Sequence, residues 1–341
     1  MIARNVQKLS AYTPGEQPKV PGLIKLNTNE NPYPPSPRVA EAIAAFDPSR
    51  LRLYPDPMAV ALRERIARLH GCSIDQVFAG NGSDEVLALA TRAFAEEGTG
   101  IGYFEPSYSL YPVLADIRAA DRRPVALGEG FSWVMPPVDD SSLFFLTRPN
   151  APTGVAFPKA DVAAFCASYS GIVLIDEAYA DFSADNCMDM AVSPDNRNVL
   201  VMRTLSKSFS LAGMRCGYVV GPVELIAALY KIKDSYNLDM VTQVIACAAL
   251  DDVPYMRANA AKIVATRERL AAELRRRGWK VCDSQTNFLF ASPPDGDAAK
   301  RFAALREAKI LVRYFSGPRT GAFIRITIGT DAQIDALLGA I

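Results

Sequence analysis

The run Thr204-Leu-Ser-Lys-Ser-Phe-Ser-Leu-Ala-Gly-Met-Arg-Cys-Gly-Tyr218 holds a single lysine, Lys207, among small and hydroxylated residues, just after an apolar strand-like stretch at 199–202. An amine partly withdrawn from water in such a setting is a nucleophile toward an aldehyde. Ser206 beside it offers a hydroxyl, and Arg215 offers a planar guanidinium that fits a phosphate. Taken alone, a lysine after a strand reads far more readily as a solvated surface residue. Ile172-Val-Leu-Ile-Asp-Glu-Ala-Tyr179 sets Asp176 at the end of another apolar run, where open α/β sheets bind ligands. A carboxylate there can face a protonated ring nitrogen and make that ring an electron sink, or it simply caps the next turn. Gly80-Asn-Gly-Ser-Asp-Glu85 opens a helix with bare N–H groups, a setting that suits an anion. Arg148-Pro-Asn-Ala-Pro-Thr-Gly154 also follows a strand, and Asn150 either bonds a ligand oxygen or shapes the turn. Each segment is weak by itself. Four of them at successive strand ends describe one site.

The elements that must hold these residues can be read from apolar periodicity. Strands are expected at Ile101–Phe104, Leu143–Thr147, Ile172–Ile175, Val199–Met202 and Tyr218–Val220. Helices are expected at Pro37–Ala45, Ala59–His70, Ser83–Ala95 and Pro158–Tyr169. Short apolar strands with helical crossovers predict an α/β fold, a mainly parallel sheet covered on both faces. A long charged helix over Val253–Arg277 breaks the alternation. After it come strands at Lys280–Cys282, Asn287–Ala291, Ile310–Arg313 and Phe323–Ile328, with a helix at Ala298–Ala308, which reads as a smaller α+β domain. The expected organisation is an extended, proline-dense N-terminal segment (1–37), a large domain (38–240) and a small C-terminal domain (241–341).

Composition narrows the function. The 341 residues are 50% hydrophobic, and 37 basic side chains balance 37 acidic ones. That balance leaves no electrostatic footprint for nucleic acid or an anionic membrane, so the expected partner is a small molecule. No apolar run approaches the roughly 20 residues a spanning helix needs, and Met1–Ser10 lacks the apolar core of a signal peptide. Six scattered cysteines without paired spacing, and a lone His70, argue against a zinc site or a histidine triad and for a reducing, cytoplasmic setting.

Thr204–Tyr218, Asp176–Tyr179, Pro149–Gly154 and Leu26-Asn-Thr-Asn-Glu-Asn-Pro32 together resemble the motifs of fold-type I aminotransferases, specifically the histidinol-phosphate aminotransferase family, from Leu26 to Thr330. The resemblance implies a pyridoxal 5′-phosphate enzyme in which Lys207 carries the cofactor as a Schiff base and Asp176 faces its pyridine nitrogen. It assigns Tyr179 to the phenolic oxygen, Tyr108 to stacking on the ring, and Ser206, Arg215 and the turn Gly82-Ser83-Asp84 to the phosphate. Tyr54, in Tyr-Pro-Asp, matches the tyrosine that reaches the phosphate of a neighbouring subunit, which implies a homodimer with shared sites. Arg325 and Arg313 match the substrate arginines, and Tyr12 is expected beside them. The implied reaction moves an amino group between L-histidinol phosphate and 2-oxoglutarate, in histidine biosynthesis. Two positions depart from the pattern. Ala151 stands where the family has an asparagine, leaving Asn150 to substitute from one residue earlier, and Arg148 also stands where asparagine is common. An aromatic amino acid aminotransferase shares every catalytic residue. A phosphothreonine-type decarboxylase shares the fold, although the N-terminal segment does not favour it. A cofactor-binding regulator would need a DNA-binding module for which no basic region is present.

Overall fold

The computed structural model describes residues 2, 4–7, 9, 15–137 and 139–341. Its centre is a seven-stranded sheet of β2 (Val77–Gly80), β3 (Gly100–Glu105), β4 (Asp121–Ala126), β5 (Ser141–Thr147), β6 (Ile172–Asp176), β7 (Val199–Thr204) and β8 (Gly217–Val220), preceded in the chain by β1 (Ile24–Lys25). The strand order is β2-β8-β7-β6-β5-β3-β4, and only β8 runs against its neighbours. The five expected strands all lie in it. The sequence reading missed β2 and β4. β2 is only four residues long, and β4 reads Asp-Arg-Arg-Pro-Val-Ala, polar because it is an edge strand.

Side-chain alternation along the buried strands divides the core into two layers. Phe144, Leu146, Val173, Ile175, Val199 and Val201 face one way. Leu143, Phe145, Leu174, Leu200 and Met202 face the other, against Leu87 and Ala90 of helix Gly82–Phe94 and Tyr111 of helix Leu110–Arg118. Both faces are therefore covered, and β5 to β7 carry almost unbroken apolar runs.

The C-terminal part opens with the 24-residue helix Val253–Arg276. An antiparallel sheet follows, in the order β12-β13-β10-β9, built from β9 (Lys280–Val281), β10 (Phe288–Ser292), β12 (Arg313–Tyr314) and β13 (Ile324–Thr327). The single strand expected over Ile310–Arg313 is two. β11 (Ile310–Leu311) pairs in parallel with β1, and the chain then turns at Val312 so that Arg313 and Tyr314 join the four-stranded sheet. The N-terminal segment is likewise not wholly irregular: it contains the helical turn Arg4–Gln7 and β1. Among the described residues, no helix is long and apolar enough to cross a membrane.

A buried ion cluster lies along β7. Arg203 pairs with Glu177 at 2.9 Å and with Asp181 at 2.9 Å, the Arg203 and Glu177 side chains being 8% and 0% exposed. Glu177 also accepts from the backbone N–H of Cys187. Removing the guanidinium would strand Glu177 in an apolar interior, which costs about 3–5 kcal/mol. Arg203→Ala should lose stability of that order in urea unfolding. A loss within the scatter of an exposed arginine would show that the cluster contributes nothing.

Candidate active site

β5, β6 and β7 are parallel, so their C-terminal ends lie along one sheet edge, and each delivers a predicted residue there. Asp176 is the last residue of β6, Lys207 follows β7, and Asn150 follows β5. Asp176 is 4% exposed. It accepts from the Tyr111 hydroxyl at 2.9 Å and from the N–H of Ala178 at 3.1 Å. Burial pushes its carboxyl up to about 6 against the pull of those two donors, and the Lys207 charge is close enough to oppose the rise. Tyr111 also bonds Thr147 of β5, which fixes the hydroxyl that faces Asp176. Sequence reasoning missed Tyr111, because a tyrosine on the apolar face of a helix looks like core until its hydroxyl is placed.

Lys207 Nζ lies 5.7 Å from the centre of the Tyr179 ring. Its backbone is held from two sides. Asn31 Nδ2 donates to the carbonyls of Lys207 and Ser208, each at 3.1 Å, and Ser208 donates to Asp181 of the buried cluster. The Tyr179 hydroxyl accepts from Asn29 Nδ2 at 2.9 Å. Asn29 and Asn31 belong to a motif that the sequence marked without giving either residue a task.

Helix Gly82–Phe94 begins at the edge between β2 and β8. Gly82 is at φ +81°, and a Cβ there would come within 2.6 Å of Arg215 Nη2. A Cβ on Gly217 would lie 2.6 Å from the Ser83 nitrogen. The two glycines thus keep the first N–H groups of the helix bare and let Arg215 close over them, a cradle shaped for an anion. Arg215 reaches Asp84 at 3.1 Å, and the Tyr108 hydroxyl donates to the other Asp84 oxygen at 3.1 Å. Ser206 is buried beside Lys207. Gly82, Ser83, Asp84, Tyr108 and Arg215 are therefore assembled together.

Asn150 is fully buried, with Nδ2 donating to Pro106 O at 3.1 Å and to Thr153 Oγ1 at 2.9 Å. Both its protons are committed. Its Oδ1 has no partner, so what Asn150 offers is an acceptor. Arg148 turns away from the site, with Nε donating to Phe157 O at 2.7 Å and Nη2 meeting Asp185 at 2.6 Å. Arg313 and Arg325 are cross-strand partners on β12 and β13. Their guanidinium carbons lie 5.5 and 5.4 Å from the centre of one ring, Phe315. Arg325 also stacks on Phe288, 5.3 Å away, and donates to Asn27 O at 2.9 Å. Tyr54 is not brought to the site of its own chain. It is 77% exposed and stacks on Tyr236 at 4.3 Å. Tyr12 lies outside the described residues.

The buried carboxylate, the amine, the glycine cradle and the paired arginines fit a phosphorylated pyridine aldehyde with an anionic substrate beside it. A family profile described as aminotransferase class I and II matches residues 21–341. The chain belongs to this family. It is 45% identical to a histidinol-phosphate aminotransferase of Geobacter sp. (strain M21), over 100% of this chain and 97% of the relative. It is 44% identical to one from Microcystis aeruginosa, over 98% and 96%. Within the aminotransferases the chain therefore belongs with the histidinol-phosphate aminotransferases. The crystal structure of histidinol-phosphate aminotransferase from Sinorhizobium meliloti in complex with pyridoxal-5′-phosphate shares the fold. Its TM-score is 0.89 at 23% identity, covering 99% of this chain and 96% of that one.

The burial of Asp176 makes a pH-dependent prediction. Its value in the folded protein lies above the ordinary one for an aspartate, so the folded state favours the protonated form. That contribution to stability is complete below about pH 4 and is lost as the pH rises through about 6. Without cofactor, Asp176→Asn should therefore melt above the parent near pH 8, with the gain vanishing toward about pH 4. A Tm difference that stays constant with pH would refute this account of the burial.

Proposed function

We infer that this enzyme transfers the amino group of L-histidinol phosphate to 2-oxoglutarate. It is a pyridoxal-phosphate-dependent aminotransferase. When bound, the cofactor supplies an aldehyde that receives the amino group and a protonated ring that draws off negative charge. Lys207 is the residue we assign to holding it, and Asp176, buried and oriented by Tyr111, to keeping the ring nitrogen charged. Ser206, Arg215 and the N–H groups at Gly82, Ser83 and Asp84 would take the phosphate, Tyr108 the ring face and Tyr179 the ring oxygen. Lys207 Nζ takes up and returns the proton that leaves the substrate's Cα.

One observation carries the substrate assignment. Arg313 and Arg325 face each other across β12 and β13 and share the Phe315 ring. Like charges directly opposite on a sheet repel. A dianion between them turns that repulsion into paired, charge-assisted hydrogen bonds, and histidinol phosphate carries a phosphate and no carboxylate. The same fork accepts the carboxylate of glutamate in the other half-reaction.

The test is kcat/KM for histidinol phosphate, glutamate, phenylalanine and tyrosine in wild type and Arg313→Ala. Charge-assisted bonds of roughly 1.5–3 kcal/mol each predict a loss of about ten-fold or more for histidinol phosphate and a smaller one for glutamate. If phenylalanine is the better donor and Arg313→Ala scarcely matters, the substrate assignment falls while the aminotransferase class stands.

We further propose a cytoplasmic homodimer with shared sites. Leu51, Leu53 and Tyr54 are all more than half exposed in one chain, an apolar strip suited to a partner. Each Tyr54 would then serve the other subunit's phosphate site. Mixing inactive Lys207→Ala with Tyr54→Phe should give hybrids in which one site carries both lesions and the other neither, so activity should return. A monomer active at low concentration would overturn the arrangement.

A further inference from the structure

Tyr179 can act on a ring oxygen only if its hydroxyl proton points that way, and the structure shows what decides this. Asn29 sits at φ +56°, 1% exposed, between the two sheets. Its backbone N–H donates to Thr327 Oγ1 at 2.9 Å, so that hydroxyl is already an acceptor. The Thr327 proton is given to Asn29 Oδ1 at 3.1 Å. With Oδ1 taken, the amide must present its Nδ2 protons on the other side, where Nδ2 donates to the Tyr179 hydroxyl at 2.9 Å. The opposite amide orientation would leave the buried Thr327 proton without this acceptor, which is the costly arrangement. The Asn29 backbone is itself pinned, its carbonyl accepting from Asn287 Nδ2 at 3.0 Å.

We propose that Asn29 is a positioning residue. It holds the Tyr179 hydroxyl as an acceptor from the amide, and so as a donor toward the Lys207-bound cofactor. This rests on the cofactor reading above. The role falls on Tyr179 because no other donor is offered from the usual place: Ala151 has no polar side chain and Asn150 has both protons committed. A hydroxyl that accepts one hydrogen bond is a stronger donor in the next. Asn29 therefore strengthens the hydrogen bond that Tyr179 donates into the site. The sense of the chain is fixed from Thr327, two residues after Arg325 on β13, so the strand that binds substrate anion also sets the polarity at the cofactor.

The readout is the pH titration of the visible band of the holoenzyme. A donor on the ring oxygen stabilises the deprotonated form of the bound cofactor, so weakening that donor moves the midpoint up. Tyr179→Phe should raise it by about half a unit to one unit, the shift one hydrogen bond is worth. Asn29→Gly tolerates the positive φ and should shift the midpoint the same way by a smaller amount. In the double variant the shift should equal that of Tyr179→Phe alone. Asn29→Asp keeps the shape but can take the tyrosine proton, and should shift at least as far as Tyr179→Phe. It also tests the idea should the glycine variant not fold. Asp176 and Glu30 are carboxylates near enough to sense the Lys207 charge, and none of these substitutions changes them. The proposal is overturned if Asn29→Gly and Asn29→Asp keep the parental midpoint, or if the Asn29→Gly shift adds in full to that of Tyr179→Phe. A parent that develops no visible band with pyridoxal phosphate would remove the cofactor reading itself, a failure seen before any variant is made.

Discussion

The short segment Asn27–Asn31 ties the two sheets into one site. Asn31 holds the backbone of Lys207 on the large sheet, while Asn29 bonds Tyr179 on one side and Thr327 on the other. Asn27 gives its carbonyl to Arg325. Three asparagines thus reach the Lys207 backbone, the Tyr179 hydroxyl and strand β13. The Asn29 contacts are buried and the others partly so, and a buried contact leaves a desolvated group behind if broken. The relative placement of Lys207, Tyr179 and Arg325 consequently depends on a chain segment outside both sheets, and β1 anchors its start by pairing with β11.

On the large sheet the electrostatic problem is to keep a carboxylate at the bottom of an apolar pocket. Burial drives Asp176 toward its protonated form, and Tyr111 and Ala178 offset only part of that. A cation beside Asp176 would complete the compensation, which is what the proposed ring nitrogen supplies. The glycine cradle works on a different principle. There the helix start and Arg215 supply positive character, and two glycines remove the side chains that would block it. Arg215 also pairs with Asp84, an exposed ion pair of the kind worth little in water.

The chemistry-bearing positions were legible in the sequence because parallel strands are short, apolar and abrupt, and their C-terminal ends mark themselves. Asp176, Lys207 and the Gly80–Glu85 turn could be placed at one edge from that pattern alone. Less legible was anything fixed by pairing between distant strands. Ile310–Arg313 reads as one apolar strand, yet Val312 divides it between two sheets, and only that turn puts Arg313 opposite Arg325. Tyr111 was hidden for a related reason: its ring belongs to the core and its hydroxyl to the site. Arg148 shows the reverse case. It stands at a motif position, but its guanidinium is spent on Phe157 and Asp185, behind the sheet edge.

Arg325 also links recognition to the ring-oxygen contact through packing. Its guanidinium lies over Phe288, and Phe288 meets the Tyr179 ring edge-on at 5.1 Å. Phe288 is on β10 and pairs with Thr327, the residue that orients Asn29. Arg325 and Tyr179 are therefore linked through one strand pair, by ring contacts on Phe288 and by hydrogen bonds that run from Thr327 through Asn29. One route ends on the Tyr179 ring and the other on its hydroxyl, and a closely packed interior gives neither group room to shift alone. Arg325 and Tyr179 are thus placed by one continuous run of packed and hydrogen-bonded side chains.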